Sequence, residues 1–123
     1  MTTQLPQVIH TYQNHTLDST RWQHYRPRAD DIVVATAYRS GTTWMQEIVR
    51  RLVFWREPHE EWRKIPLNSL SPWLDTRRHP IDNIIALLEG QQHRRFIKTH
   101  LALDGLLYYP QVKYVVVGRD ARD

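Results

Sequence analysis

The stretch Asp31-Ile32-Val33-Val34-Ala35-Thr36-Ala37-Tyr38-Arg39-Ser40-Gly41-Thr42-Thr43-Trp44 decides the fold. Ile32–Ala35 is a short apolar run rich in β-branched residues and without polar alternation, the pattern of a strand buried on both faces. Tyr38-Arg39-Ser40-Gly41 interrupts it, and the period then changes. Trp44, Met45, Ile48, Val49, Leu52 and Val53 recur at helical spacing, with Gln46, Glu47, Arg50 and Arg51 on the other face. Strand, glycine turn and helix together open a βαβ unit.

Working outward, Asp82–Glu89 reads as a second helix stopped by Gly90. Arg95–Thr99 and Lys113–Val117 read as further strands. The fold class expected is therefore α/β, a P-loop-like parallel sheet with flanking helices. Residues 1–30 form an irregular lead-in with a short helix around Ser19–Tyr25. Residues 55–80 carry Trp55, Trp62 and Trp73 together with Pro58, Pro66, Pro72 and Pro80. Prolines that frequent forbid a long helix or a central strand, so this is an irregular excursion.

The chain has 123 residues, enough for one domain or a piece of one. Its 17 Lys and Arg against 13 Asp and Glu give a formal charge of +4, which suits an anionic ligand without naming it. There is no cysteine, which excludes disulfide scaffolds, thiolate metal sites and thiol catalysis. No apolar run reaches the roughly 18–20 residues of a membrane span, and the amino terminus lacks a signal-peptide core. The expectation is a soluble, cytoplasmic protein with no membrane or nucleic-acid partner and no metal.

Each strand ends in a polar cluster, and parallel strands put their carboxyl ends on one edge of a sheet, where ligands bind. After the first strand, Gly41 permits a tight turn. The amides from Ser40 to Trp44 then lie at a helix N-terminus, joined by the hydroxyls of Ser40, Thr42 and Thr43 and the charge of Arg39. This is either a phosphate site or an ordinary turn whose hydroxyls cap the helix. It is not the Walker pattern, because no lysine precedes the threonines. At the second strand, Phe96, Lys98 and His100 share one face and Ile97, Thr99 and Leu101 the other. Lys98 and His100 offer a cation for an anionic reacting group and a base near neutrality, or else belong to a solvated edge. After the third strand, Arg119 either grips a phosphate or pairs with Asp120 or Asp123.

These residues carry a resemblance. Thr36-Ala37-Tyr38-Arg39-Ser40-Gly41-Thr42-Thr43-Trp44 resembles the T-Y-P-K-S-G-T-T-W loop of the cytosolic-type sulfotransferases. Lys98-Thr99-His100-Leu101 is similar to their K-T-H-L segment, and Tyr114–Asp123 to their 3′-phosphate strand. The match covers about residues 26–123, so that 1–123 reads as a partial, N-terminal sulfotransferase domain. It implies transfer of a sulfuryl group from 3′-phosphoadenylyl sulfate (PAPS), as co-substrate, to a small-molecule hydroxyl or amine acceptor. By that resemblance Arg39, Ser40, Gly41, Thr42, Thr43 and Trp44 hold the 5′-phosphosulfate. His100 is the catalytic base, Lys98 assists at the transferring group, and Arg119 binds the 3′-phosphate. The sequence departs from the family pattern at Arg39, at Tyr38 and at Asp120, where the family has lysine, proline and asparagine. The family's 3′-phosphate serine, its later nucleotide loop and its dimerisation segment lie beyond Asp123, so these 123 residues alone are expected to be inactive. The alternatives are a fragment of a P-loop kinase or NTPase and a non-catalytic basic nucleotide-binding module.

The remaining candidates are of lesser weight. Phe54, Trp55, Trp62, Trp73 and Leu74 either line an apolar acceptor pocket or simply pack. The arginine pairs Arg50-Arg51, Arg77-Arg78 and Arg94-Arg95 are expected in solvent.

Overall fold

The computed structural model describes residues 4–37 and 41–118. Three parallel strands form one sheet: β1 (Ile32–Thr36), β2 (Phe96–Thr99) and β3 (Lys113–Val117), in the order β2-β1-β3. β1 is central. Ile32 stands opposite Phe96 in β2 and opposite Lys113 in β3, so all three strands run in step. The chain leaves β1 towards one side of the sheet and later crosses to the other, which makes the carboxyl end of β1 a topological switch point.

Every residue of β1 is buried, as its unbroken apolar run requires. Ile32 and Val34 pack with Val49, Phe54, Leu70 and Phe96 under α1 (Thr42–Val53). Val33 and Ala35 face the opposite layer, where Ile84 and Leu88 of a later helix, Ile81–Gly90, meet Leu17, Trp22 and Tyr25 of the lead-in. The lead-in is thus part of the core, docked through a 3₁₀ turn at Ser19–His24 that Asp18 caps by accepting from the Thr20 amide. A four-residue helical turn, α2 (Leu67–Leu70), lies in the excursion, which makes Ile81–Gly90 α3. The outer edge of β2 is not bare. Pro72 and Leu74 flank Lys98 as a parallel bridge strand would, with the Lys98 amide donating to Pro72 O (2.9 Å) and the Leu74 amide to Lys98 O (3.2 Å).

Two expectations fail, both because buried polar groups need polar partners. α1 buries only part of the apolar face read from its sequence: Met45, Val49 and Val53 pack into the core, but the rest does not. Trp44, Ile48 and Leu52 are exposed, while Gln46 and Arg50 are 1% and 5% exposed. Gln46 Nε2 donates to Ser71 Oγ (2.9 Å), and Arg50 Nη1 to the carbonyls of Trp62 (3.2 Å) and Ile65 (3.1 Å). The carbonyls of the proline-rich excursion have no ladder to satisfy them, and the helix turns its donors towards them. Arg95 is likewise buried rather than solvated. Its guanidinium pairs with Asp31, which also accepts from the Tyr25 hydroxyl (2.6 Å) and the Arg28 amide (2.9 Å). Burial, with the hydrogen bond to Asp31 second, pushes the Tyr25 phenol far above its usual range. This ionic lock sits at the amino ends of β1 and β2, away from the edge where the polar clusters gather.

Candidate active site

The site begins where β1 turns into α1. Gly41 has φ of +81°, a left-handed conformation that a side chain disfavours, and it lets the helix start immediately. The first intrahelical bond runs from the Met45 amide to Gly41 O (3.0 Å), so the amides of Thr42, Thr43 and Trp44 lie outside the helical ladder. Among the described residues no side chain caps this helix, and its first turn holds no acid. The Thr42 hydroxyl is within 2.6 Å of the Thr36 hydroxyl, tying the helix start to the strand end. An uncapped helix N-terminus free of acids, entered through a left-handed glycine, fits an anionic phosphate or sulfate. Arg39, Ser40 and Arg119 lie outside the described residues.

His100 follows β2 directly. Its Nδ1 is 2.9 Å from the carbonyl oxygen of Thr36. A carbonyl only accepts, so Nδ1 carries the proton and the neutral ring keeps its lone pair on Nε2. Burial lowers the imidazole pKa from its ordinary value. The Thr36 hydrogen bond opposes this, and the nearby Lys98 charge adds to it. A cavity of about 330 Å³ at the carboxyl ends of the strands is lined by Thr36, Ala37, His100, Val117 and Gly118. The structure therefore brings the ends of all three strands to one cleft with His100 in its wall.

Lys98 is adjacent but opens elsewhere. It lines a second cavity, of about 400 Å³, with Pro72, Trp73, Arg78, Ile84 and Leu87. Trp73 stands between the two groups. The Lys98 ammonium lies 4.9 Å from the centre of its ring, and the His100 ring meets it edge-on at 4.9 Å. Burial lowers the Lys98 pKa, with Asp75 opposing and Arg78 adding to the effect. Of the aromatic residues considered for an acceptor pocket, only Trp73 lines this cavity. Phe54 and Trp62 stack on each other (5.4 Å, 8°), Leu74 is core and Trp55 is exposed.

Asp75 is the residue that the sequence reading missed. It is fully buried and accepts from Trp22 Nε1 (3.1 Å), Trp73 Nε1 (2.6 Å) and the His100 amide (3.2 Å). One carboxylate thus fixes the indole wall and the His100 backbone together. The signal available was slight: an acid two residues after a tryptophan in a proline-rich segment.

Among the described residues no group of three or more His, Asp or Glu side chains is placed to hold a metal, and no helix is long and apolar enough to cross a membrane. A family model described as sulfotransferase domain matches residues 29–123. The chain is 44% identical over 112 residues to a protein named glycolipid sulfotransferase from Mycobacterium tuberculosis (strain ATCC 25177 / H37Ra), covering 91% of this chain and 33% of that protein. It is 33% identical over 104 residues to sulfotransferase 1A1 of Canis lupus familiaris, covering 82% and 35%. Against sulfotransferase 1E1 of Homo sapiens the identity is 29% over 102 residues, covering 80% and 34%. The chain spans about a third of the length of the relatives it matches. With an uncapped helix N-terminus and a histidine at one sheet edge, and a family match over most of its length, the chain belongs to the sulfotransferase domain family.

Proposed function

We propose that this chain carries the donor loop and the base of an enzyme that moves a sulfuryl group from PAPS to a hydroxyl or amine. The observation that carries this reading is the bond from His100 to the Thr36 carbonyl, which sets the imidazole beside the β1–α1 turn with Nε2 as its basic nitrogen. The donor, when bound, supplies the sulfuryl group and the phosphate that leaves. His100 Nε2 takes the proton of the acceptor as its oxygen or nitrogen bonds to sulfur and the bond from sulfur to the phosphate oxygen breaks, leaving adenosine 3′,5′-bisphosphate. The α1 N-terminal amides and Thr42, Thr43 and Trp44, with Arg39 and Ser40, hold the anionic donor. Lys98 adds positive charge near the moving group, and Arg119 takes the 3′-phosphate. Preorganised donors of this kind stabilise charge without reorganising during the reaction.

The cavity beside Trp73 is the acceptor chamber in this reading, since it adjoins both Lys98 and, through the indole, His100. The similarity to a glycolipid sulfotransferase supports a glycolipid hydroxyl as the acceptor. A cytoplasmic location belongs to the same reading and rests on the resemblance alone.

Calorimetry tests the donor assignment in a chain extended to the length of its relatives. Adenosine 3′,5′-bisphosphate should bind more tightly than AMP, and equal affinities would remove Arg119 from the 3′-phosphate. In a chain extended to the length of its relatives, His100→Ala should lower turnover by about 10²–10⁴-fold, the usual worth of a general base, with little change in donor affinity. Near wild-type turnover across pH 6–9 would sink the base assignment.

A further inference from the structure

The acceptor chamber holds two cations and no acid. Lys98 and Arg78 both line the cavity of about 400 Å³, and no Asp or Glu is among the residues that form its wall. Both approach one indole. The Lys98 ammonium is 4.9 Å and the Arg78 guanidinium 5.9 Å from the centre of the Trp73 ring. Among the described residues neither forms a salt bridge. Asp75, whose charge acts on Lys98, has its oxygens taken by two indoles and the His100 amide. Like charges gathered on one ring repel, and the Lys98 pKa is lowered by Arg78 as well as by burial.

The turn that carries Arg78 is anchored on both sides. The Arg77 amide donates to Thr16 O (2.9 Å) and its guanidinium to Asn14 O (2.7 Å). On the other side, His79 O accepts from the Arg21 guanidinium (2.6 Å). The Arg78 amide itself donates to Thr76 Oγ1 (3.2 Å). Of the adjacent pair, Arg77 is thus committed to the lead-in, whereas Arg78 stands at the cavity on a fixed backbone. The cavity also has an apolar part, with Pro72, Ile84 and Leu87, beside polar side chains such as Asn68, Ser69 and Asn83.

From this arrangement we infer that the acceptor is an amphiphile carrying an anionic group of its own, a phosphate, sulfate or carboxylate, which the Arg78 guanidinium holds while Lys98 remains at the transferring group. This inference rests on the proposed sulfuryl transfer for the word acceptor, but the anion subsite stands on the cavity. A guanidinium presents paired N–H donors that match such an oxyanion, and the apolar part takes the body attached to it.

The test titrates a chain extended to the length of its relatives with hexyl phosphate and with hexyl glucoside, in the presence of saturating adenosine 3′,5′-bisphosphate. Hexyl phosphate should bind at least roughly tenfold more tightly, the value of one charge-assisted contact. Arg78→Gln should remove that preference at an unchanged melting temperature, and Arg77→Gln should leave it intact in whatever fraction stays folded. Equal binding of the two probes, absence of binding by either, an Arg78→Gln variant that keeps its preference, or displacement of hexyl phosphate by the bisphosphate would each overturn the subsite. Failure of the bisphosphate itself to bind, with the Arg78-dependent preference intact, would instead overturn the sulfotransfer reading alone.

Discussion

His100 lies half-buried between the end of β1 and the Trp73 indole, and its protonation follows from that position. Burial lowers its pKa below the ordinary 6.5, so near neutral pH the ring is the base that the proposed transfer needs. The folded state then binds fewer protons than the unfolded chain between the lowered pKa and 6.5. Stability held above 6.5 is therefore lost as pH falls through that window. An imidazole NMR titration should place His100 below 6.5. Asp75→Asn should lower it further, because the carboxylate charge that favours the imidazolium is gone. A rise in Asp75→Asn would contradict the electrostatic role of Asp75. Asp75→Leu should cost more, about 2–5 kcal/mol by denaturant unfolding, since two indole N–H groups and an amide lose their acceptor at roughly 1–3 kcal/mol each with partial relaxation. The position of Lys98 and His100 at the end of β2 was legible in the sequence. Asp75 was not, because its partner Trp22 belongs to a segment with no period to place it against the sheet.

At the scale of the element, the β1–α1 turn and the strands were legible because their cues are local. Val33-Val34 needs burial on both sides, and Gly41 needs no neighbour to explain a tight turn. Gly41→Ala should cost about 1–2 kcal/mol for a left-handed residue with a Cβ, and weaken bisphosphate binding by shifting the α1 amides. Calorimetry and thermal melts of the same variant check both. The orientation of α1 was not legible, since the carbonyls that Gln46 and Arg50 satisfy come from a stretch whose path no pattern predicts. Arg95 was misread for the same reason: its partner Asp31 lies 64 residues away. Arg95→Met should destabilise by about 3–5 kcal/mol, because Asp31 is then a buried charge without its cation. Adding Asp31→Leu should recover part of that loss, and a fully additive double variant would deny the coupling.

The whole molecule has one finished flank and one open one. Pro72–Leu74 covers the outside of β2, whereas β3 is partly exposed along its length, with Val116 52% exposed. On α1, Trp44, Ile48 and Leu52, followed by Trp55, form an exposed apolar stripe at helical spacing. In sedimentation velocity the chain should associate as its concentration rises, and Leu52→Lys should shift it towards monomer. Unchanged association would put the contact on β3 instead. The central position of β1 also sets a timetable. β1 leaves a ribosome before either of its neighbours, and both are distant in sequence: Ile32 pairs with Phe96 and with Lys113. At about 5–20 residues per second, its most apolar segment waits roughly 4–16 seconds for a complete set of partners. For that interval Ile32–Thr36 is an incompletely paired nascent segment, and chaperone capture during synthesis should concentrate there.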